Sequence, residues 1–210
     1  SGITDVIIVT GALKRAIEDH FDVPNEDLIK NLKAGGKDKL LEETRRISEM
    51  ANFIYIRQKG LYRNGTPVLS AEPAIEDEFF AVLWGDEFIH SHPPRLQQMI
   101  RVHEKYGGAV ISGVRIKNRD DLKRYGIAQV TPVEGNVFKI VKIVEKPSPE
   151  NAPSDLATHG AYILPPDIFD ILRSQKPGTG GEIYLPEAID ELIKTGYPVY
   201  ACEIDNAKYY

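Results

Sequence analysis

The sequence predicts an α/β protein, in which a mostly parallel sheet is covered by helices and carries a β-rich insertion. Short β-branched runs alternate with amphipathic stretches through the first half, which is the signature of βαβ units. The apolar run FFAVLWGDEF, residues 79–88, stops at Gly85 and two carboxylates. Such a run fits a buried strand that delivers acids to the ligand-binding end of a parallel sheet. Beyond residue 126 the alternation gives way to two strand-like runs separated by Glu134-Gly135-Asn136, the pattern of a hairpin.

Each element follows from its local pattern. The run DVIIVT predicts a strand over residues 5–10, followed by helical character over 12–20. Leu40, Leu41, Ile47 and Met50 share one face of a helix expected over 38–51. A strand over 52–58 and a helix over 66–74, with Pro67 in its first turn, come next. The strand over 79–84 precedes an amphipathic helix that begins at Pro93-Pro94 and ends at Gly107-Gly108. Strands are expected over 109–116, 127–133, 137–144 and 157–164, then helices over 166–174 and 185–195, then a strand over 198–204. No internal repeat or low-complexity linker interrupts the chain, so a single domain over 1–210 is expected.

Composition narrows the function. At 210 residues and 42% hydrophobic content the chain can bury a sizeable core. A net charge of -5 argues against a general nucleic-acid binder, whose footprint would be basic. No apolar stretch approaches the roughly 20 residues of a membrane span. Cys202 is the only cysteine, which excludes an intramolecular disulfide and makes a reducing cytoplasm the expected compartment. The histidines lack metal-ligand spacing.

Several groups could do chemistry. Asp86, after Gly85, could hold Mg2+, which favours one or two carboxylates plus substrate phosphates. Glu87 is expected to face solvent. In Glu145-Lys146-Pro147 the carboxylate could accept from sugar hydroxyls and the lysine could meet a phosphate. Gln58 can offer a donor and an acceptor to a pyrimidine edge. The glycines at 65, 126, 160, 180 and 181 either admit close ligand approach or simply form turns. His159 has no acid partner identifiable in the linear sequence and is not read as a catalytic base.

The segments IIVTG, RQKGLYRNGTPVL, WGDEF, RYGIA, VEKPSP, THGAYILPPDIF and GGEIYLPEAI, in this order, resemble the bacterial UTP:glucose-1-phosphate uridylyltransferases across essentially the whole chain. The resemblance implies a Rossmann-like nucleotide-diphospho-sugar transferase fold and the formation of UDP-glucose and pyrophosphate from UTP and glucose 1-phosphate with Mg2+. Gln58 would then read the uracil edge, and Gly65 would sit against the nucleotide. Asp86 would hold the metal between phosphates. Gly126, Glu145 and Gly160 would line the glucose pocket, Lys146 would meet the sugar phosphate, and Glu182 would contact or order the sugar site. The loop LYRNGTPVL departs from the GLGHAVL form of the family. The alternatives are a related transferase for another base or sugar and a non-catalytic nucleotide-sugar binding or interaction protein.

Against the family pattern, the GxGTR loop and its lysine precede Ser1, and DTG follows Tyr210. For a chain of this extent the expectation is impaired catalysis, together with self-association as a homo-oligomer through uncovered strand edges.

Overall fold

The structure, a computed structural model, describes residues 2–59, 64–176 and 183–209. By contact the chain divides into two compact units, Gly2–Tyr62 and Arg63–Tyr210.

In the first unit, strand β1 (Asp5–Thr10) pairs in parallel with β2 (Asn52–Arg57), in register from Asp5 opposite Asn52 to Thr10 opposite Arg57. Helices α1 (Arg15–Phe21), α2 (Glu26–Ala34) and α3 (Asp38–Ser48) make the crossover. The pattern over 12–20 places α1 a few residues early, because Leu13 takes a left-handed backbone (φ 66) that delays the helix. Helix α2 is absent from the expectation. Its signals are nonetheless in the sequence: Asn25 Oδ1 accepts from the Leu28 amide at 2.9 Å, Glu26 and Asp27 occupy the first turn, and Gly35 ends it. Leu41 of α3 is buried, whereas Leu40 and Met50 stay exposed.

The second unit is built on a six-stranded sheet with the order β3-β8-β5-β9-β7-β6. In chain order, α4 (Gly65–Ala71) leads to β3 (Phe80–Leu83), β4 (Ile89–His90), α5 (Arg95–Tyr106) and β5 (Ala109–Arg115). The hairpin β6 (Gly126–Glu134) and β7 (Val137–Glu145) follows, then β8 (Leu156–Leu164), α6 (Ile168–Ser174), α7 (Leu185–Lys194), β9 (Val199–Glu203) and β10 (Lys208–Tyr209). The hairpin turn needs a left-handed residue and has Gly135 there, at φ 55. Short β4 and β10 pair with each other, antiparallel. They lie outside the sequence expectation, as does the 3-10 helix Arg119–Arg124, because pieces this short carry no resolvable period.

The α/β class expected from the sequence is the class observed, with a mixed ladder. Strand β5 runs parallel to β9, while β8 runs antiparallel to both β3 and β5. Strands β3, β5 and β9 therefore share a direction, and β8 arrives between two of them from the β-rich segment. Burial explains why β8 reads as a nearly continuous apolar run. Its Tyr162 and Leu164 join the core shared with α4, α6 and α7, and its Ala161 and Ile163 join the core packed by Met99 and Val102 of α5. A sheet covered on both faces is the scaffold on which strand-end residues become a site.

Candidate active site

At the end of β3 the ladder with β8 continues for one more bond, from the Trp84 amide to the Gly160 carbonyl at 3.0 Å. The chain then turns, with the Glu87 amide donating to the Trp84 carbonyl at 3.3 Å. Gly85 is not crowded, since a Cβ there would meet nothing within 4 Å. Asp86 is exposed on this turn.

Glu87 corrects the sequence reading, since it is not a solvent-facing acid. It is half-buried against β8, and its Oε2 lies 3.6 Å from Nδ1 of His159. His159 thus has an acid neighbour, supplied by a residue 72 positions away in the chain, its place set by the β3–β8 pairing. Burial, then the neighbouring Asp86 carboxylate, push the Glu87 carboxyl above its ordinary range against the pull of Arg95. Burial, then Arg95, hold the His159 imidazole below its ordinary range.

Gly126 opens β6 opposite Glu145, the last residue of β7. A Cβ on Gly126 would lie 2.9 Å from Thr158 Oγ1 and 3.0 Å from Glu145 Oε2, so only glycine leaves these two side chains in place. The Thr158 hydroxyl donates to the Gly126 carbonyl at 3.2 Å. Burial raises the Glu145 carboxyl; Lys146 opposes this and Glu187 adds to it. Lys146 has a left-handed backbone (φ 46) just before the buried Pro147, and its amide donates to the Tyr125 carbonyl at 3.0 Å. A non-glycine residue in that region stores strain and marks a constrained position. Its ammonium lies 3.8 Å from Glu145 Oε1 but is 62% exposed, a contact too solvated to hold it there.

The structure therefore brings Gly126, Glu145, Lys146 and Gly160 together at one end of the sheet, joined through residues 158–160 to the turn bearing Asp86. Thr158, Glu87 and His159 complete this neighbourhood; the sequence singles out no role for Thr158, reads Glu87 as solvent-facing and gives His159 no acid partner. The available signal was Thr158-His159-Gly160 interrupting an otherwise apolar strand. Gly65 is buried, and its missing side chain is accounted for by Ile183, whose carbonyl oxygen would lie 2.7 Å from a Cβ. Gln58 belongs to the first unit, where its amide extends the β1–β2 ladder by donating to the Thr10 carbonyl at 2.9 Å. Glu182, Gly180 and Gly181 lie outside the described residues.

Among the described residues no three of His, Cys, Asp and Glu converge as a metal cage. Asp86, an exposed hard-oxygen donor on the turn after β3, still fits a cation that draws its other ligands from phosphates.

A two-faced α/β sheet with glycines and carboxylates gathered at its strand ends is an arrangement that can take a polar ligand there, and the comparisons with known proteins give its class. A family model described as nucleotidyl transferase matches residues 29–208. The chain is 44% identical to a UTP–glucose-1-phosphate uridylyltransferase of Staphylococcus haemolyticus, over 100% of this chain and 72% of that protein. It is 42% identical to one of Bacillus subtilis, over 100% of this chain and 69% of that protein. A crystal structure of UDP-glucose pyrophosphorylase complexed with UDP-glucose superposes with a TM-score of 0.88 at 34% identity, covering 100% of this chain and 75% of that one. The UTP-bound enzyme from Acinetobacter baumannii superposes with a TM-score of 0.87 at 31% identity, covering 100% of this chain and 72% of that one. The chain belongs to the nucleotidyl transferase family, among its UTP–glucose-1-phosphate uridylyltransferases.

Proposed function

We propose that the chain transfers a uridylyl group from UTP to glucose 1-phosphate, releasing pyrophosphate and forming UDP-glucose. The observation that carries this is the convergence of Glu145, Lys146, Gly126 and Gly160 beside the Asp86 turn, in a member of this family. A phosphate oxygen of glucose 1-phosphate attacks the α-phosphorus of UTP, and the bond to the pyrophosphate oxygen breaks with its electron pair. No protein nucleophile is needed, so positioning and charge neutralisation supply the rate.

In this reading Glu145 accepts hydrogen bonds from glucose hydroxyls, and Gly126 and Gly160 let the sugar approach the backbone. Lys146 neutralises the phosphate of glucose 1-phosphate. Gln58 reads the uracil, Gly65 borders the nucleotide and Glu182 orders the sugar side. Asp86 holds Mg2+, which when bound neutralises phosphate charge. We read residues 1–210 as one transferase domain, because the family match crosses both compact units. The proposed setting is the cytoplasm, consistent with the free buried thiol of Cys202 and with no described helix being long and apolar enough to cross a membrane. Self-association as a homo-oligomer is part of the same proposal, and sedimentation velocity tests it.

The functional test is calorimetric titration with UDP-glucose and Mg2+, with GDP-mannose as control, beside a pyrophosphate-release assay on UTP and glucose 1-phosphate. Selective binding with release supports the transferase. Binding without release is followed by the same assay with the family's GxGTR loop and DTG segment restored, where recovered release supports the transferase and none supports a nucleotide-sugar binder; no selectivity removes the site. Lys146→Ala is expected to lower kcat/KM for glucose 1-phosphate by on the order of 100-fold, and an unchanged value would take Lys146 out of the site.

A further inference from the structure

The turn after β3 is tied to β8 more closely than a sheet edge requires. The regular ladder ends with Leu83 opposite Ala161, the Trp84 amide adds one bond to Gly160, and the Trp84 and Tyr162 rings meet edge to face with centroids 6.3 Å apart. Past that point Glu87 takes over. Gly160 has φ 53, and a Cβ there would fall 2.6 Å from the Cβ of Glu87, so the glycine and the glutamate are fitted to one another. Glu87 Oε2 faces His159 Nδ1 at 3.6 Å, the His159 ring lies 6.4 Å from that of Tyr125, and the Tyr125 carbonyl receives the Lys146 amide. A row of neighbours thus runs from Asp86 through Glu87, His159 and Tyr125 to Lys146.

Packing alone does not call for a carboxylate and an imidazole here. An apolar pair of similar volume would fill the same space without the desolvation cost of a half-buried acid. Among the described residues, Asp86 on the same turn acts on Glu87, and Arg95 at the start of α5 acts on both members. The separation of 3.6 Å is a few tenths of an ångström beyond a hydrogen bond, and such pairs tighten when a ligand fills the site.

We propose that Glu87 and His159 form a positioning couple that sets the spacing between Asp86 on the β3 turn and Lys146 at the end of β7. Neither touches the reacting atoms. The couple holds two strand ends in register, so that groups acting on opposite phosphates face the same substrate. The proposal rests on the reading of Asp86 and Lys146 given under Proposed function.

The test is a double-mutant cycle read by calorimetric titration with UDP-glucose, with and without Mg2+, using Glu87→Ala, His159→Ala and the double variant, with urea midpoints recorded beside each. Each single variant is expected to lose on the order of tenfold in affinity. The double variant is expected to lose no more than the weaker single one, because the two act as a unit. Glu87→Gln, whose amide oxygen can accept the same bond, is expected to bind close to wild type. Single variants that bind like wild type, or losses that add in the double variant, overturn the couple and leave the site reading intact. Wild-type chain that does not bind UDP-glucose overturns the site reading and the couple with it. Should Glu87→Ala not fold, Glu87→Leu fills the space without an acceptor, and wild-type affinity in that variant overturns the proposal.

Discussion

Glu145 combines two opposing demands. It sits at the end of β7 where a sugar hydroxyl could reach it, and burial raises its pKa above the value it has in the unfolded chain. A raised acid favours folding fully below the ordinary glutamate pKa of about 4.3, and that contribution is lost as pH rises through the folded value. At neutral pH the ionised Glu145 therefore costs stability. Glu145→Gln is expected to raise the urea midpoint at pH 7, with the gain shrinking as pH falls toward 4, while weakening UDP-glucose binding. A midpoint equal to wild type at pH 7 would show that the carboxylate is not held out of water as its surroundings indicate. The sequence marked Glu145 through the triplet with Lys146 and Pro147. It could not turn Glu87 inward toward His159, since alternation along the chain says nothing of what a turn residue meets on a strand 72 positions away.

At the scale of the element, α7 shows how a helix and a strand end depend on each other. Leu185, Ala188, Ile189 and Leu192 are buried on one face, with Pro186 in the first turn. The same helix aims Asp190 at β7. Strand β7 pairs with β9 only from Val137 to Lys139, and the Ile143 amide beyond that stretch is satisfied by Asp190 Oδ1 at 3.1 Å, while Oδ2 pairs with Lys194 at 3.0 Å. Asp190→Ala leaves a buried backbone donor without its acceptor and is expected to cost about 1–3 kcal/mol by urea denaturation. Asp190→Asn keeps an acceptor and is expected to cost less; equal costs would assign the loss to packing. The apolar face of α7 was legible as a period, and so was the hairpin beside it, from Gly135. The role of Asp190 was not, because an acid on the polar side of a helix reads as solvated until the strand beneath it is in place.

For the whole molecule, the two compact units differ in how much they bury. In the first, Leu41 is buried while Leu13, Val23, Leu40 and Met50 are exposed, whereas β5 and β8 of the second are lined with side chains at or near zero exposure. Amides of β1 and β2 are accordingly expected to exchange hydrogen faster than those of β5 and β8, and equal protection would show that the first unit is as well supported as the second. The sequence by itself determined the α/β class, most of the strands and helices, and the segments that place the chain among nucleotidyl transferases, because each rests on local period, turn chemistry or an ordered set of motifs. Only the tertiary structure decided that β8 runs antiparallel between β3 and β5, that Gly65 is small because Ile183 lies on it, and that Glu87 and His159 face each other. These are pairings between distant parts of the chain, set by which faces must be buried together, and side-chain period carries no record of the partner across the gap.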